Sequence, residues 1–410
     1  MPINNENYIA NKIYESYPSD WNVVELGNLL KRIKRLVYVV TDQEYQEIGI
    51  RSHGKGLFYK EPIKGSDLGN KAVFWVNEDC LILNIVFAWE QAVAMTTANE
   101  KGMIASHRFP MWQSNGEVDL KYIYNFLLTP LGRHFLELAS PGGAGRNKTL
   151  GQEEFNRITV CIPRSIEEQK KIIKILENCD KAIELEDQMI TLKKCQKRWL
   201  KQVLLSGKKR LPGFHGTWDV KKIGDFIKEK SQKNRDNAID HVVSVTKHKG
   251  IVDSLDYFNN HQVFSQDLST YKTIRKGEYA FPPIHLNEGS IGRLSHINEA
   301  VLSPMYTVFK LDESKYNSDL FYNIIKDQTY IKKYQTMVQG SINRRGAISI
   351  KGFSAITIIT PPLPEQNAIA EILSTADREI DLHEKHLAEL KKQKKVLMQL
   401  LLTGKVRVKA

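Results

Sequence analysis

Four short stretches carry the side chains best suited to reading a nucleic acid. "SPGGAGRNKTL" (Ser140 to Leu150) offers Arg146, Asn147 and Lys148, and "VQGSINRRGAI" (Val338 to Ile348) offers Asn343, Arg344 and Arg345. Arginine can grip guanine with two bonds and asparagine adenine, while lysine neutralises phosphate whatever the sequence. Two further turns place basic and hydroxyl groups between strand-like runs. "RSHGKG" brings Arg51, Ser52, His53 and Lys55, and "TKHKG" brings Lys247, His248 and Lys249. The plain alternative for all four is a polar surface turn that needed glycine.

Residue patterns for catalysis are missing. No G-x-x-x-x-G-K-[ST] phosphate loop occurs; "SGKK" and "TGKV" close helices instead of opening them. No G-x-G-x-x-G follows a strand, and H-E-x-x-H is absent. "FPPI" (Phe281 to Ile284) is superficially similar to the amino-methyltransferase motif. It lacks the acid or amide that would hold the target amine, and the final aromatic, so it reads as a strand-ending turn. Glu168-Gln169-Lys170 fits a nuclease-like Glu-x-Lys but opens a long helix, where no metal site is expected. The cysteines (Cys80, Cys161, Cys179 and Cys195) form no CxxC, and the histidines lack ligand spacing. We therefore expect no catalytic residue, no metal and no cofactor, in a chain kept in a reducing cytoplasm. "MPINNENYIA" lacks the order of an export signal, and no apolar run is long enough to span a membrane.

The charge balance points to a polyanionic partner. Fifty-nine Lys and Arg against 47 Asp and Glu leave a net charge of +12. An excess of that size favours phosphate contacts, which release counterions and supply most non-specific affinity.

The elements that must hold these turns come in duplicate. "WLKQVLLSGK" from Trp199 and "VLMQLLLTGK" from Val396 lie 197 residues apart. The same shift carries Trp21 onto Trp218, Gly27 onto Gly224, "EQKKIIKIL" from Glu168 onto "EQNAIAEIL" from Glu365, and Gly207 onto Gly404. Interior segments such as "FNRITVCIP" and "FSAITIITP" match at 198. One unit is written twice, each time as a Trp-led segment, a variable region and a long helix.

The helices show as ladders with alternating steps of four and three. Ile369, Leu373, Ala376, Ile380, His383, Leu387, Leu390, Lys394, Leu397 and Leu401 form one; Ile172, Leu176, Cys179, Ile183, Glu186, Ile190, Lys193, Lys197, Leu200 and Leu204 form the other. A ladder this long predicts a coiled coil, and roughly 40 residues of helix span about 60 Å. Pro163 and Pro364 are expected just ahead of the helices, with Glu167, Glu168 and Glu365 in their first turns. Gly207 and Gly404 suit left-handed caps. Glu186 and His383 interrupt the two seams at equivalent slots and are expected to pin the register of pairing.

Between the helices, "AVFWV", "CLILNIVFAW", "HVVSVT", "AVLSPMYTVFKL" and "ITIIT" read as strands. "DLKYIYNFLLTP" reads as a helix stopped by Pro130, and "DLFYNIIKDQTYIKKYQTM" as one helix. The expected fold is α+β, with two α/β domains joined by two long helices in an antiparallel coiled coil and a pseudo-two-fold internal repeat. The expected boundaries are an N-terminal extension at 1–16, a first domain at 17–163, a central helix at 164–210, a second domain at 211–361 and a final helix at 362–410.

"LPEQNAIAEILSTAD" and "LKKQKKVLMQLLLTGKVRV", together with the duplicated order of segments, resemble the specificity subunit of type I restriction-modification systems. "IGIRSHGKGLFYKE" and "AWEQAVAMTTANEKGMIASHRF" are similar to one type of target recognition domain of that family; the central "SIEEQKKIIKILENCD" departs from its "PLPEQ". The resemblance implies a non-catalytic subunit that binds double-stranded DNA. Each of its two domains would read one half of a bipartite target. The helices would space them and dock two methylation subunits, which restriction subunits then join. Sequence divergence between the two domains implies unlike half-sites. The competing reading from composition is a coiled-coil adaptor whose basic domains bind acidic proteins.

Overall fold

The computed structural model describes residues 13–69, 71–142, 148–207, 209–339 and 346–408. The chain divides into two units, Met1–Gln188 with Lys385–Ala410, and Met189–Glu384. Six helices recur below: α1 (Leu120–Leu127), α2 (Pro130–Leu138), α3 (Ile166–Leu204), α4 (Ser318–Ile325), α5 (Gln328–Gln339) and α6 (Leu363–Leu402).

In the first unit a four-stranded antiparallel sheet runs in the order Leu30–Ile33, Met111–Ser114, Leu81–Leu83, Val93–Met95. In the second the order is Ile227–Lys230, Thr307–Leu311, Tyr279–Phe281, Gly292–Arg293. These strands correspond one for one at the repeat offset. Successive side chains of a strand point to opposite faces. Leu81, Leu83 and Trp112 join one cluster with the helices, while Ile82 and Met111 join another beneath a hairpin. Tyr279, Phe281 and Phe309 against Ala280 and Val308 divide the same way. Both faces are covered, which is why "CLIL" and "YAF" are apolar without alternation. Trp112 against Phe155 at 4.7 Å, and Phe309 against Phe353 at 5.5 Å, occupy equivalent places.

A two-stranded ladder leads into each long helix, Trp21–Glu25 with Thr159–Pro163 and Asp219–Lys222 with Thr357–Thr360. A buried glutamine in the first turn then ties helix to domain. Gln169 Nε2 donates to Pro163 O at 2.9 Å and its Oε1 accepts from Asp119 N at 2.9 Å, Asp119 being the N-cap of α1. Gln366 repeats this with Pro361 O at 2.8 Å and with the N–H of Asn317, the N-cap of α4, at 2.7 Å. An arginine beyond the far end of the partner helix closes each junction. Arg407 binds Glu168 and Asp20 and lies over Trp21; Arg210 binds Glu365 and lies over Trp218. Trp218 Nε1 donates to Glu365 Oε2 at 2.8 Å, whereas Trp21 Nε1 is buried without a hydrogen bond.

The long helices run antiparallel as a coiled coil, each giving one half to each unit. In the first unit Lys394 pairs with Asp180 and His386 with Glu186; in the second Lys193 pairs with Glu379 and Lys197 with Asp377. Numbers rise along one helix as they fall along the other. All twenty ladder positions are buried or half-buried. Ile172, Leu176, Ile190, Leu373 and Ile380 are buried; Ile183, Glu186, His383, Leu387 and Leu390 are half-buried. Gly207 and Gly404 follow the helix ends with φ of 67° and 68°, the left-handed region that favours glycine.

Four local expectations need correction. Pro130 does not stop α1 but opens α2 behind Thr129, whose side chain accepts from Gly132 N; proline is at home at a helix's first position because no partner for its N–H is needed. Pro364 is the second residue of α6 and tolerated there for the same reason. "DLFYNIIKDQTYIKKYQTM" forms two helices, α4 and α5, parted at Asp327, whose carboxylate accepts from Thr329 N. In "CLILNIVFAW" only Leu81–Leu83 is strand, and Ala88–Glu90 is a turn of 3-10 helix.

Candidate nucleic-acid interface

The turn from Arg51 to Gly56 joins the strands Ile48–Ile50 and Leu57–Tyr59, paired Ile50 to Leu57. His53, Gly54 and Gly56 have φ of 62°, 63° and 75°, so the glycines serve the reversal of direction. Arg51 is exposed yet folded back. Its NH1 donates to Leu57 O at 2.7 Å, and its guanidinium lies 5.2 Å from the Phe58 ring centre. Ser52 Oγ donates to Glu90 Oε2 at 2.9 Å. The tip then docks on the neighbouring turn: His53 N donates to Glu90 O at 2.7 Å and Gly54 N to Gln91 O at 2.9 Å. The side chains of His53 and Lys55 remain exposed.

In the second unit the strands Val243–Thr246 and Gly250–Asp253 enclose a tighter turn. Thr246 Oγ1 accepts from Lys249 N at 3.0 Å and donates to Gly250 O at 3.1 Å. Gly250 has φ of 71°, and a Cβ there would sit 2.8 Å from Tyr322 Oη. Lys247, His248 and Lys249 are all exposed on this one turn. Lys326 Nζ holds the turn from below, donating to Lys247 O at 2.7 Å and Gly289 O at 2.8 Å. Burial pushes the Lys326 ammonium down to about 8, and the Lys201 charge adds to the shift. A notch of about 380 Å³ opens beside it, lined by Lys247, His248, Lys326 and Gln328.

Arg146, Asn147, Asn343, Arg344 and Arg345 lie outside the described residues. The exits of their segments are placed, however, and both lead to the turn that supports the hairpin. Lys148 Nζ binds Glu137 at 2.8 Å and lies 5.2 Å from the Trp89 ring, while Leu150 N donates to Ile85 O at 2.8 Å. Ile348 N donates to Pro283 O at 2.9 Å, the equivalent bond. Ile348 thus bonds to the turn after Phe281 in "FPPI".

The two hairpin turns supply cations, imidazoles and a hydroxyl, suited to phosphate and base edges. Burial pushes the Cys80 thiol up to about 11 and the Cys161 thiol to about 12, away from thiolate. No group of His, Cys, Asp and Glu that could hold a metal occurs among the described residues. Nor is any helix among them long and apolar enough to cross a membrane. The sequence reading missed Gln91 and Lys326, which hold the hairpins, and the Arg407 and Arg210 junctions. The latter were accessible, since Arg210 and Arg407, Glu168 and Glu365, and Trp21 and Trp218 all differ by 197.

Comparison with known proteins agrees with this duplicated construction. Residues 18–194 and 200–392 each match the type I restriction modification DNA specificity domain. The chain is 26% identical over 414 residues to the type I restriction enzyme MjaVIII specificity subunit of Methanocaldococcus jannaschii, covering 96% of this chain and 94% of that protein. Its fold is shared with the crystal structure of the HsdS subunit from Thermoanaerobacter tengcongensis, with a TM-score of 0.54, 15% identity, and 95% and 98% of the two chains covered. A chain from a structure on complex assembly and conformational transition of the type I R-M system gives a TM-score of 0.56 at 14% identity, covering 95% and 99%. With two DNA specificity domains in tandem, the chain belongs to the family of type I restriction-modification specificity subunits.

Proposed function

We propose that each unit reads one half of an asymmetric, bipartite duplex target and that the chain has no catalysis of its own. The observation that carries this reading is the paired loop site. The same hairpin-on-turn construction is built twice on equivalent sheets and presents different side chains, His53 and Lys55 in one and Lys247, His248 and Lys249 in the other. Equivalent frames with unlike tips favour two unlike half-sites. Arg51, Ser52, Arg146, Asn147, Lys148, Asn343, Arg344 and Arg345 are the further candidates by residue type.

The coiled coil then spaces the half-sites and docks one methylation subunit per unit, with restriction subunits joining that assembly. Supporting this, each unit has a groove of about 270 Å³ along its helix pair, lined by Ile175, Cys179 and Leu390 in the first and by Ile372, Ala376 and Lys193 in the second. Those residues correspond at the repeat offset. Each unit also exposes an equivalent apolar pair, Leu185 with Val396 and Leu382 with Trp199, at 50 to 64% exposure. Selection of duplexes from a random-sequence library by the chain with its methylation subunits tests the reading. Two unlike half-sites at a fixed separation are expected. Unselective, salt-sensitive retention of DNA would leave only an adaptor with basic domains.

A further inference from the structure

We propose that Gln91 and Lys326 are positioning residues that set the reading tips of the two hairpins, performing one task from opposite sides of the same three-segment clasp. The proposal rests on the reading of the hairpins as DNA-contacting elements.

In the first unit the donor sits on the turn. Gln91, held in the left-handed region at φ 58°, sends Nε2 to Leu127 O at 2.9 Å and Thr129 O at 3.3 Å, at the junction of α1 and α2. Its own carbonyl receives the hairpin's Gly54 N–H. Leu128 packs above Gly54, where a Cβ would lie 2.6 Å from Leu128 Cδ2. Turn, helix junction and hairpin tip are tied together through one residue, its side-chain amide bonding the junction and its backbone carbonyl the tip.

In the second unit the residue 198 places after Gln91 is Gly289, which has φ of 87° and no side chain to donate. The residue 198 places after Leu128 is Lys326. Its ammonium reaches outward from the junction of α4 and α5, to the turn at Gly289 O and to the hairpin at Lys247 O. The donor has moved from turn to junction, and the same three segments are joined. Loss of the glutamine at one position is matched by gain of the lysine at the other.

Neither Gln91 nor Lys326 is placed at a hairpin tip, so neither is assigned a base. Their effect is on where the tip residues stand. Recognition groups must be held to within about half an ångström by a supporting shell, or discrimination falls while general phosphate binding persists.

The test uses the full chain with its methylation subunits and the duplex enriched from a random library, in versions with either half-site scrambled. Lys326→Met is expected to lower the intact-to-scrambled affinity ratio about tenfold for the half-site read by the second unit. The other half and binding to the doubly scrambled duplex should stay unchanged. Gln91→Gly is expected to do the same to the first unit's half-site, and Gln91→Gly with Leu128→Lys to restore it by transplanting the second unit's clasp. The rescue arm separates positioning from a folding defect, because a merely weakened fold would not regain selectivity. Unchanged ratios in both single variants, or no rescue, would overturn the proposal. Alanine at Lys247, His248 and Lys249 serves as the control: if that triple variant keeps full selectivity, the hairpin reading itself fails, independently of the clasp.

Discussion

Arg210 grips Glu365 with two parallel bonds, Nε to Oε1 at 2.7 Å and NH2 to Oε2 at 2.6 Å, where the second unit's helix leaves its strand ladder. Glu365 is buried, and Trp218 Nε1 gives it a third bond. Burial by itself would raise the Glu365 carboxyl, but the bonds from Arg210 and Trp218 outweigh it and hold the group below the usual carboxylate range. A carboxyl with a lowered folded pKa contributes stability that is fully present above its unfolded value of about 4.3 and is lost as pH falls through the folded value. Glu365→Gln should therefore lower the thermal midpoint at pH 7. It should also flatten the fall in midpoint below about pH 4 relative to the native chain. Calorimetry across pH 3 to 7 checks both; superimposable pH profiles would contradict the clamp.

How legible was this in the sequence? The repeat and ladders were, because both are properties of spacing: the shift of 197 survives divergence, and heptad order is a relation between near neighbours. The clamps were not read, because Arg210 and Glu365 stand 155 residues apart and Arg407 and Glu168 stand 239 apart. Nothing local marks such pairs, and only the shared offset of 197 between their counterparts in the two units points to them. The split at Asp327 was hidden because apolar spacing runs on through both helices and a single capping carboxylate decides the break. The hairpin clasp was hidden for a different reason. Its donors, Gln91 and Lys326, occupy non-equivalent positions, so a comparison of the repeats shows two unrelated differences where the structure has one shared function.

The polar slots in the seam have a stability consequence. Glu186, only 13% exposed, accepts from His386 Nδ1 at 3.2 Å, and His383 is half-buried at the equivalent place. Replacing Glu186 and His383 together with leucine should raise the thermal midpoint while admitting species of wrong stoichiometry, since polar seam residues fix register at a cost in stability. Light scattering across a concentration series reads the outcome. A more stable variant of unchanged mass would remove any register role.

Docking can be separated from folding. Leu373→Ala removes a buried seam residue and should cost about 3 kcal/mol of stability. Trp199→Ala with Leu382→Ala removes exposed apolar groups of the second unit and should change stability by no more than about 1 kcal/mol. Native mass spectrometry should then find one methylation subunit bound per chain instead of two. Leu185→Ala with Val396→Ala should give the same loss through the first unit. Retention of both subunits by both variants would place docking elsewhere.

The division of reading between units is tested most directly by half-site affinities of the Lys247→Ala, His248→Ala, Lys249→Ala chain. Affinities are measured on the selected duplex and on versions with one or the other half scrambled. The account predicts that discrimination collapses at one half, stays at native strength at the other, and that the salt slope of log affinity falls by about 1 to 2, since neutralised phosphates set that slope. Equal loss at both halves, or undiminished discrimination at both, would contradict it.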